Sequence, residues 1–294
     1  MPDQVTFYSE GVGIVGDWYP AEGGHNPVVV LCHGFTGVKG MVMPEVAERL
    51  AANGYHALAF DYRYFGESGG EPRGRINPYE QVQDIRAAIT YAQSRAEVDP
   101  GRLALWGTSF GGGNAVRAAA FDRRVGCVVA NIAVMRGKRW LRGLRGPEQW
   151  NQLLDRIEEH RKDRVLTGET VDVNPFEIMP VDEQTVPFIR EHWADVPNLP
   201  RTITLDTVEA VLEHDPQSVI HRLSPRPLLM LAVERDQIVP NEETVEAFAA
   251  AGEPKKLVWL PRHLSHWGAY VGEGFELVMA ETLSWLGRWL GVEK

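Results

Sequence analysis

Two cysteines in 294 residues are too few for a disulfide framework. Both, Cys32 and Cys127, fall inside apolar strand-like runs, which predicts buried reduced thiols rather than a bridge. No stretch approaches the roughly 18 consecutive apolar residues that a membrane span needs. Basic charge is in deficit, with 30 Lys and Arg against 40 Asp and Glu and a formal net charge of -10. That balance argues against nucleic acid and anionic membrane as partners. A Gly-rich phosphate loop is missing, as is any His, Asp and Glu cluster at metal-ligand spacing, so no cofactor and no metal are expected. The opening Met1-Pro2-Asp3-Gln4 lacks the basic segment and apolar stretch of a secretory signal, which predicts a cytoplasmic chain. Internal repeats and low-complexity tracts are absent too. What is present is ordinary for a globular protein: 44% hydrophobic and 24% charged residues. The length suits one large α/β domain or two smaller ones.

Along the chain, Val5–Tyr8 and Gly13–Tyr19 read as an N-terminal antiparallel pair of strands. Val28–Cys32 is a continuous apolar run, the pattern of a strand buried on both faces. A helix from Pro44 to Ala52 follows, then a buried strand at Ala57–Phe60. Residues 79–94 carry helical periodicity through Val82, Ile85, Ala88, Ile89 and Ala92. Further strands are predicted at Leu103–Trp106, Gly126–Ala130, Pro227–Val233 and Lys256–Leu260, with helices at Glu242–Ala251 and up to Leu290. Alternation of this kind implies a mostly parallel eight-stranded sheet with helices on both faces. The rhythm breaks over residues 136–215, which are polar, proline-interrupted and only patchily helical. We therefore expect a core of 1–135 and 216–294 with an inserted helical lid at 136–215.

The segment Gly107-Thr108-Ser109-Phe110-Gly111 closes one strand and opens a small-residue helix. Strand, G-x-S-x-G and helix in that order is the setting of a nucleophile elbow. There the serine sits on a turn so tight that its neighbours two positions away have no room for a Cβ. A serine hydroxyl attacks only if a base takes its proton and an acid orients that base, here in the chain order serine, acid, histidine. Asp236, just past a strand downstream of the insert, is the expected acid; Glu234 and Asp182 are its rivals, and Asp236 also fits a turn or helix cap. The base should lie in the loop after the last strand, where His263 and His266 both occur, and the deeper His266 is preferred. A developing oxyanion needs donors: the Phe110 N–H after the nucleophile, and the Phe35 N–H of the loop His33-Gly34-Phe35-Thr36-Gly37. His33 is read as a brace for that loop.

Taken together, HGF at 33–35, the run Phe60–Ser68, GTSFGG at 107–112, Asp236 with Val239-Pro240, and His266 resemble the α/β-hydrolase superfamily. The chain looks nearest its esterases, dienelactone-hydrolase-like enzymes and prolyl-peptidase relatives. The resemblance runs from about residue 30 to 290 apart from the insert. It implies Ser109 as nucleophile, His266 as base, Asp236 as its orienter, and backbone donors at Phe35 and Phe110. It also implies a structural loop at Asp61 and Ser68. The chain departs from the family in having Arg262-His263-Leu264-Ser265 where a glycine usually precedes the histidine.

The reading favoured is a serine hydrolase that cleaves a carboxylic ester, lactone or thioester of a small-molecule acyl substrate through an acyl-enzyme. A peptidase, an acyltransferase and a carbon–carbon bond hydrolase would use the same residues. A non-catalytic ligand-binding version of the fold is the alternative from another class. Homodimerisation is compatible with the sequence but marked by no pattern in it. In the insert, Arg136, Lys138, Arg139, Arg142 and Arg145 are basic; a solvated helix face explains them, as would one arginine reaching a substrate carboxylate. Trp140, Trp150 and Trp193 suit either an acyl pocket or packing of the insert on the core.

Overall fold

A strand that is apolar at every position has no side left for solvent, so both of its faces must be covered. The computed structural model, which describes residues 2–180 and 182–291, meets that demand. The antiparallel pair β1 (Asp3–Ser9) and β2 (Val12–Tyr19) leads into β3 (Asn26–Cys32), α1 (Met43–Ala51), β4 (His56–Phe60), α2 (Pro78–Gln93), β5 (Val98–Thr108), α3 (Phe110–Phe121) and β6 (Cys127–Asn131). The chain then passes through α4 (Gly137–Gly143), α5 (Pro147–Thr167), β7 (Asp172–Val173), α6 (Pro175–Ile178), α7 (Thr185–His192), β8 (Ile203–Thr204) and α8 (Thr207–Glu213). It finishes with β9 (Leu228–Val233), α9 (Asn241–Ala250), β10 (Lys255–Leu260) and α10 (Gly272–Leu290).

Eight strands form one sheet in the order β1-β2-β4-β3-β5-β6-β9-β10. The pairs β1·β2 and β2·β4 are antiparallel; every pair from β4·β3 to β9·β10 is parallel. The expected α/β sheet is therefore present. Side-chain alternation along β3 shows why it needs two helical layers. Val28, Val30 and Cys32 pack with α2 and α3, through residues such as Ile85, Ile89 and Ala115. Val29 and Leu31 point the other way, into a core with Val46 and Leu50 of α1 and Met279 and Leu286 of α10. Each such fully buried side chain contributes about 1.5–3 kcal/mol of transfer free energy. The strand expected at Leu103–Trp106 begins earlier, at Val98, because Val98 pairs with Asn26 across a register shift that the apolar pattern does not reveal.

Cys32 and Cys127 are both free and buried. Among the described residues no helix is long and apolar enough to cross a membrane. A third apolar cluster lies under the chain between β6 and β9 and joins Phe35, Phe65 and Phe110 to Trp140, Trp150, Ile178 and Val208.

Where the chain leaves the sheet for α4, one buried carboxyl holds it. The Glu243 side chain of α9 is fully buried and accepts the Arg136 backbone N–H. Burial pushes its carboxyl up to about 8, against the opposing pull of the Arg136 N–H and the Arg139 charge. A carboxyl raised in the fold stabilises it fully below its unfolded value, near 4.5, and loses that contribution as pH rises through about 8. Glu243→Gln, which copies the protonated form, is expected to flatten this loss. Thermal midpoints measured against pH should agree for the two proteins at acid pH and favour the variant by about 2–4 °C or more in alkali.

Candidate active site

The sheet places Ser109 at the carboxyl end of β5, where the parallel strand order leaves the crevice between neighbouring strand ends. Its backbone is held at φ 51° and ψ -124°, a conformation costly for a residue with a Cβ. Three backbone hydrogen bonds hold it there. The Ser109 N–H donates to the Asn131 carbonyl at 2.9 Å, and its own carbonyl accepts from Gly112 and Val134 at 3.0 Å each. Glycine is required on both sides. A Cβ on Gly107 would lie less than 3.0 Å from the Gly111 backbone, and one on Gly111 less than 3.0 Å from the Cys32 and His33 carbonyls.

The second loop reaches the serine by the same device. Gly34 follows β3 so closely that a Cβ there would sit 3.3 Å from Ser109 Cβ. Phe35 lines the cavity beside Ser109. Among the described residues no backbone carbonyl takes the Phe35 or Phe110 N–H. Their rings pack edge to face at 5.8 Å, which ties the two loops together. His33 is buried behind them, with Nδ1 3.2 Å from the Gly34 carbonyl, and burial drives its imidazole down to about 4. His214, buried against the Phe110 ring at 4.9 Å, is driven down to about 3 by burial and then by the Arg117 charge. Both rings are neutral supports.

Asp236 and His266 come together from loops after β9 and β10. Asp236 Oδ1 accepts the Ile238 and Val239 N–H groups at 2.8 Å each, the turn role its sequence allows. Those bonds aim Oδ2 at His266 Nδ1, 2.8 Å away. The two side chains are only 3% and 2% exposed, so the pair is shielded from water and salt. With Nδ1–H donated to the carboxylate, His266 Nε2 is left to accept. It faces the Tyr270 hydroxyl at 3.4 Å, and that hydroxyl is 3.2 Å from Thr108 Oγ1. Burial, and next the Asp236 charge, push the Tyr270 phenol above its ordinary range, so it remains a neutral donor.

The rival residues are elsewhere. His263 is 63% exposed and pairs with Glu273 at 2.8 Å. Glu234 lies just beyond β9 and pairs with Arg262 at the surface. Asp182 lies in the turn before α7, where its Oδ1 accepts the Gln184 and Thr185 N–H groups and the Thr185 hydroxyl.

Ser109, His266 and Tyr270 open onto one cavity of about 340 Å³. Its walls combine the loop at 33–37 with residues of the chain between β6 and β9, among them Phe176, Met179, Ile189, Trp193 and Leu199. Of the three tryptophans expected to matter, Trp193 faces this space, whereas Trp140 and Trp150 are packing residues of the third core. Trp193, Phe188, Trp267 and Tyr270 form an aromatic cluster with centroids 4.8–6.5 Å apart. Trp267 Nε1 also donates to Thr185 Oγ1 at 2.9 Å, which ties the histidine loop to α7.

The basic residues Arg136, Lys138, Arg139, Arg142 and Arg145 do not line the cavity. Arg139 pairs with Glu246 at 2.5 Å, Arg142 lies over the Trp150 ring, and Arg145 donates to the Leu141 and Glu177 carbonyls. The cation that does line the cavity is Arg201, which the sequence does not mark because it stands alone in an irregular stretch.

Comparison with known proteins agrees with this architecture. A family model described as the alpha/beta hydrolase fold matches residues 27–273. The chain is 30% identical over 292 residues to the thiohydrolase aneE of Aspergillus aculeatus, covering 92% of this chain and 87% of that protein. It is 29% identical over 256 residues to the polyketide transferase grgF of a Penicillium species, covering 84% and 83%. Among solved structures, DcsB in complex with a substrate analogue superposes with a TM-score of 0.87 at 25% identity, over 99% of this chain and 100% of that one.

The elbow geometry yields a stability test. Gly111→Ala is expected to cost about 3 kcal/mol, the upper range for overpacking, because the obstructing atoms are backbone carbonyls. Gly24→Ala, which meets nothing within 4 Å, should stay within about 0.5 kcal/mol of wild type. Urea midpoints of the two variants measure the difference.

Proposed function

The chain belongs to the α/β-hydrolase family and is an esterase-like enzyme of it, and we propose that it cleaves an ester, lactone or thioester through an acyl-enzyme on Ser109. The observation that carries this reading is the buried 2.8 Å contact between His266 Nδ1 and Asp236 Oδ2 at the cavity that holds Ser109. In the proposed cycle Ser109 Oγ attacks the acyl carbon as His266 Nε2 takes its proton. Asp236 holds the ring in the tautomer that leaves Nε2 free and stabilises the imidazolium. The Phe35 and Phe110 N–H groups receive the oxyanion. His266 returns its proton to the leaving group, and water repeats the sequence to release the acid. Residues 136–215 act as the lid that shapes the acyl pocket.

Acyl transfer is the second reading. The named relatives include both a thiohydrolase and a polyketide transferase, and the apolar cavity walls limit water near an acyl-enzyme. The two readings share every step up to the acyl-enzyme and differ in the acceptor.

Turnover of p-nitrophenyl esters from acetate to decanoate separates these assignments. Ser109→Ala and His266→Ala should each lower kcat by roughly 10⁴–10⁶-fold. His263→Ala should leave it within about threefold, since surface substitutions change little. Loss of activity on replacing His263 and not His266 would overturn the choice of base. Addition of alcohol acceptors to the wild type then distinguishes transfer from hydrolysis by the product formed.

A further inference from the structure

The Ser109 cavity is apolar over most of its wall, yet it has a polar corner. Arg201 is the one permanently charged side chain among its described lining residues. Asn174 lines the same cavity. The two residues lie close together because β7 and β8 pair antiparallel, with Asp172 opposite Thr204 and Val173 opposite Ile203. Asn174 therefore leaves the ribbon at the end where Arg201 and Thr202 enter it.

The donors at this corner are free. Asn174 Oδ1 is already used, accepting the Phe176 N–H at 2.9 Å as the cap of α6. That fixes the carboxamide and leaves its NH₂ as the available group. Arg201 is an exposed residue that also lines the cavity, and its guanidinium has no ion-pair or hydrogen-bond acceptor among the described residues. No Asp or Glu lines the cavity to neutralise it. A planar five-donor cation and an amide donor beside an apolar wall match an oxyanion with two acceptor oxygens.

We propose that Arg201, with Asn174, binds an anionic oxygen group of the substrate, so that the enzyme acts on acyl compounds with an apolar body and a carboxylate or phosphate away from the reacting carbonyl. This rests on Ser109 being the acylated residue. The anion belongs either to the acyl chain, as in a dicarboxylic hemiester, or to the leaving group, as in a phosphate-bearing thiol. Arg201 is then a specificity residue: it takes no part in bond making and holds one end of the substrate while Ser109 attacks the other.

The test compares wild type, Arg201→Gln and Arg201→Lys on paired substrates. One pair sets p-nitrophenyl hemiesters of dicarboxylic acids against neutral esters of equal length. The other sets acyl thioesters of phosphopantetheine against those of uncharged N-acetylcysteamine. Arg201→Gln should lower kcat/KM about tenfold on an anionic substrate and leave its neutral partner unchanged, with partial recovery in Arg201→Lys. A loss confined to hemiesters places the anion on the acyl side; one confined to phosphopantetheine places it on the leaving group. Equal losses on neutral and anionic substrates, or none on either anionic class, would overturn the proposal. Should no ester turn over, calorimetric binding of suberate and of phosphopantetheine to wild type and Arg201→Gln decides it, a difference supporting the site and equality refuting it. Ser109→Ala, run alongside, reports on the underlying reading separately: persistent turnover there would remove the acyl-enzyme without touching the anion-binding result.

Discussion

The close approach of two backbones at the end of β3 governs this molecule. The turn after β5 fits only because Gly111 lays its Cα against the Cys32 and His33 carbonyls and Gly107 admits the Gly111 backbone. From that contact follow the left-handed conformation of Ser109, the direction of the Phe110 N–H, and the nearness of the Gly34 loop to the serine. A scaffold buried on both faces sustains the strain, because β3 and β5 cannot separate without exposing side chains on two sides of the sheet.

The electrostatic design is one of exclusion. His33 and His214 stand behind the elbow as neutral rings, held so by burial. The Asp236–His266 pair is buried with its partners arranged, and Asp236 is held by two backbone donors as well as by the imidazole. A buried carboxylate keeps its charge only when several donors share it. The cavity wall is otherwise apolar, so the few groups that do carry polarity act at short range on whatever enters.

Much of this was legible in the sequence because the chemistry is local. The G-x-S-x-G spacing, the apolar run before it and the small-residue helix after it belong to one continuous segment, and they locate Ser109 and Phe110. The strands after residue 226 are strong enough to place loops after them, which brings out Asp236 and leaves His263 and His266 three residues apart. Only packing separates those two: one is exposed beside Glu273, the other buried beside Asp236. Arg201 and Asn174 were not legible, since they meet through a ribbon whose strands are two residues each, too short for any periodic signal. The basic run at 136–145 drew attention by composition, yet its side chains spend their charge on α9, on an indole and on backbone carbonyls.

The short stretch from His266 to Tyr270 belongs to two structures at once. At one end its imidazole meets the Asp236 carboxylate; one residue on, Trp267 is hydrogen-bonded to Thr185 and stacked at 5.3 Å on Phe188 of α7. α7 and the loop that carries the His266 imidazole are therefore packed as one unit, so a substitution at Thr185 or Phe188 reaches the Asp236–His266 contact without touching either residue.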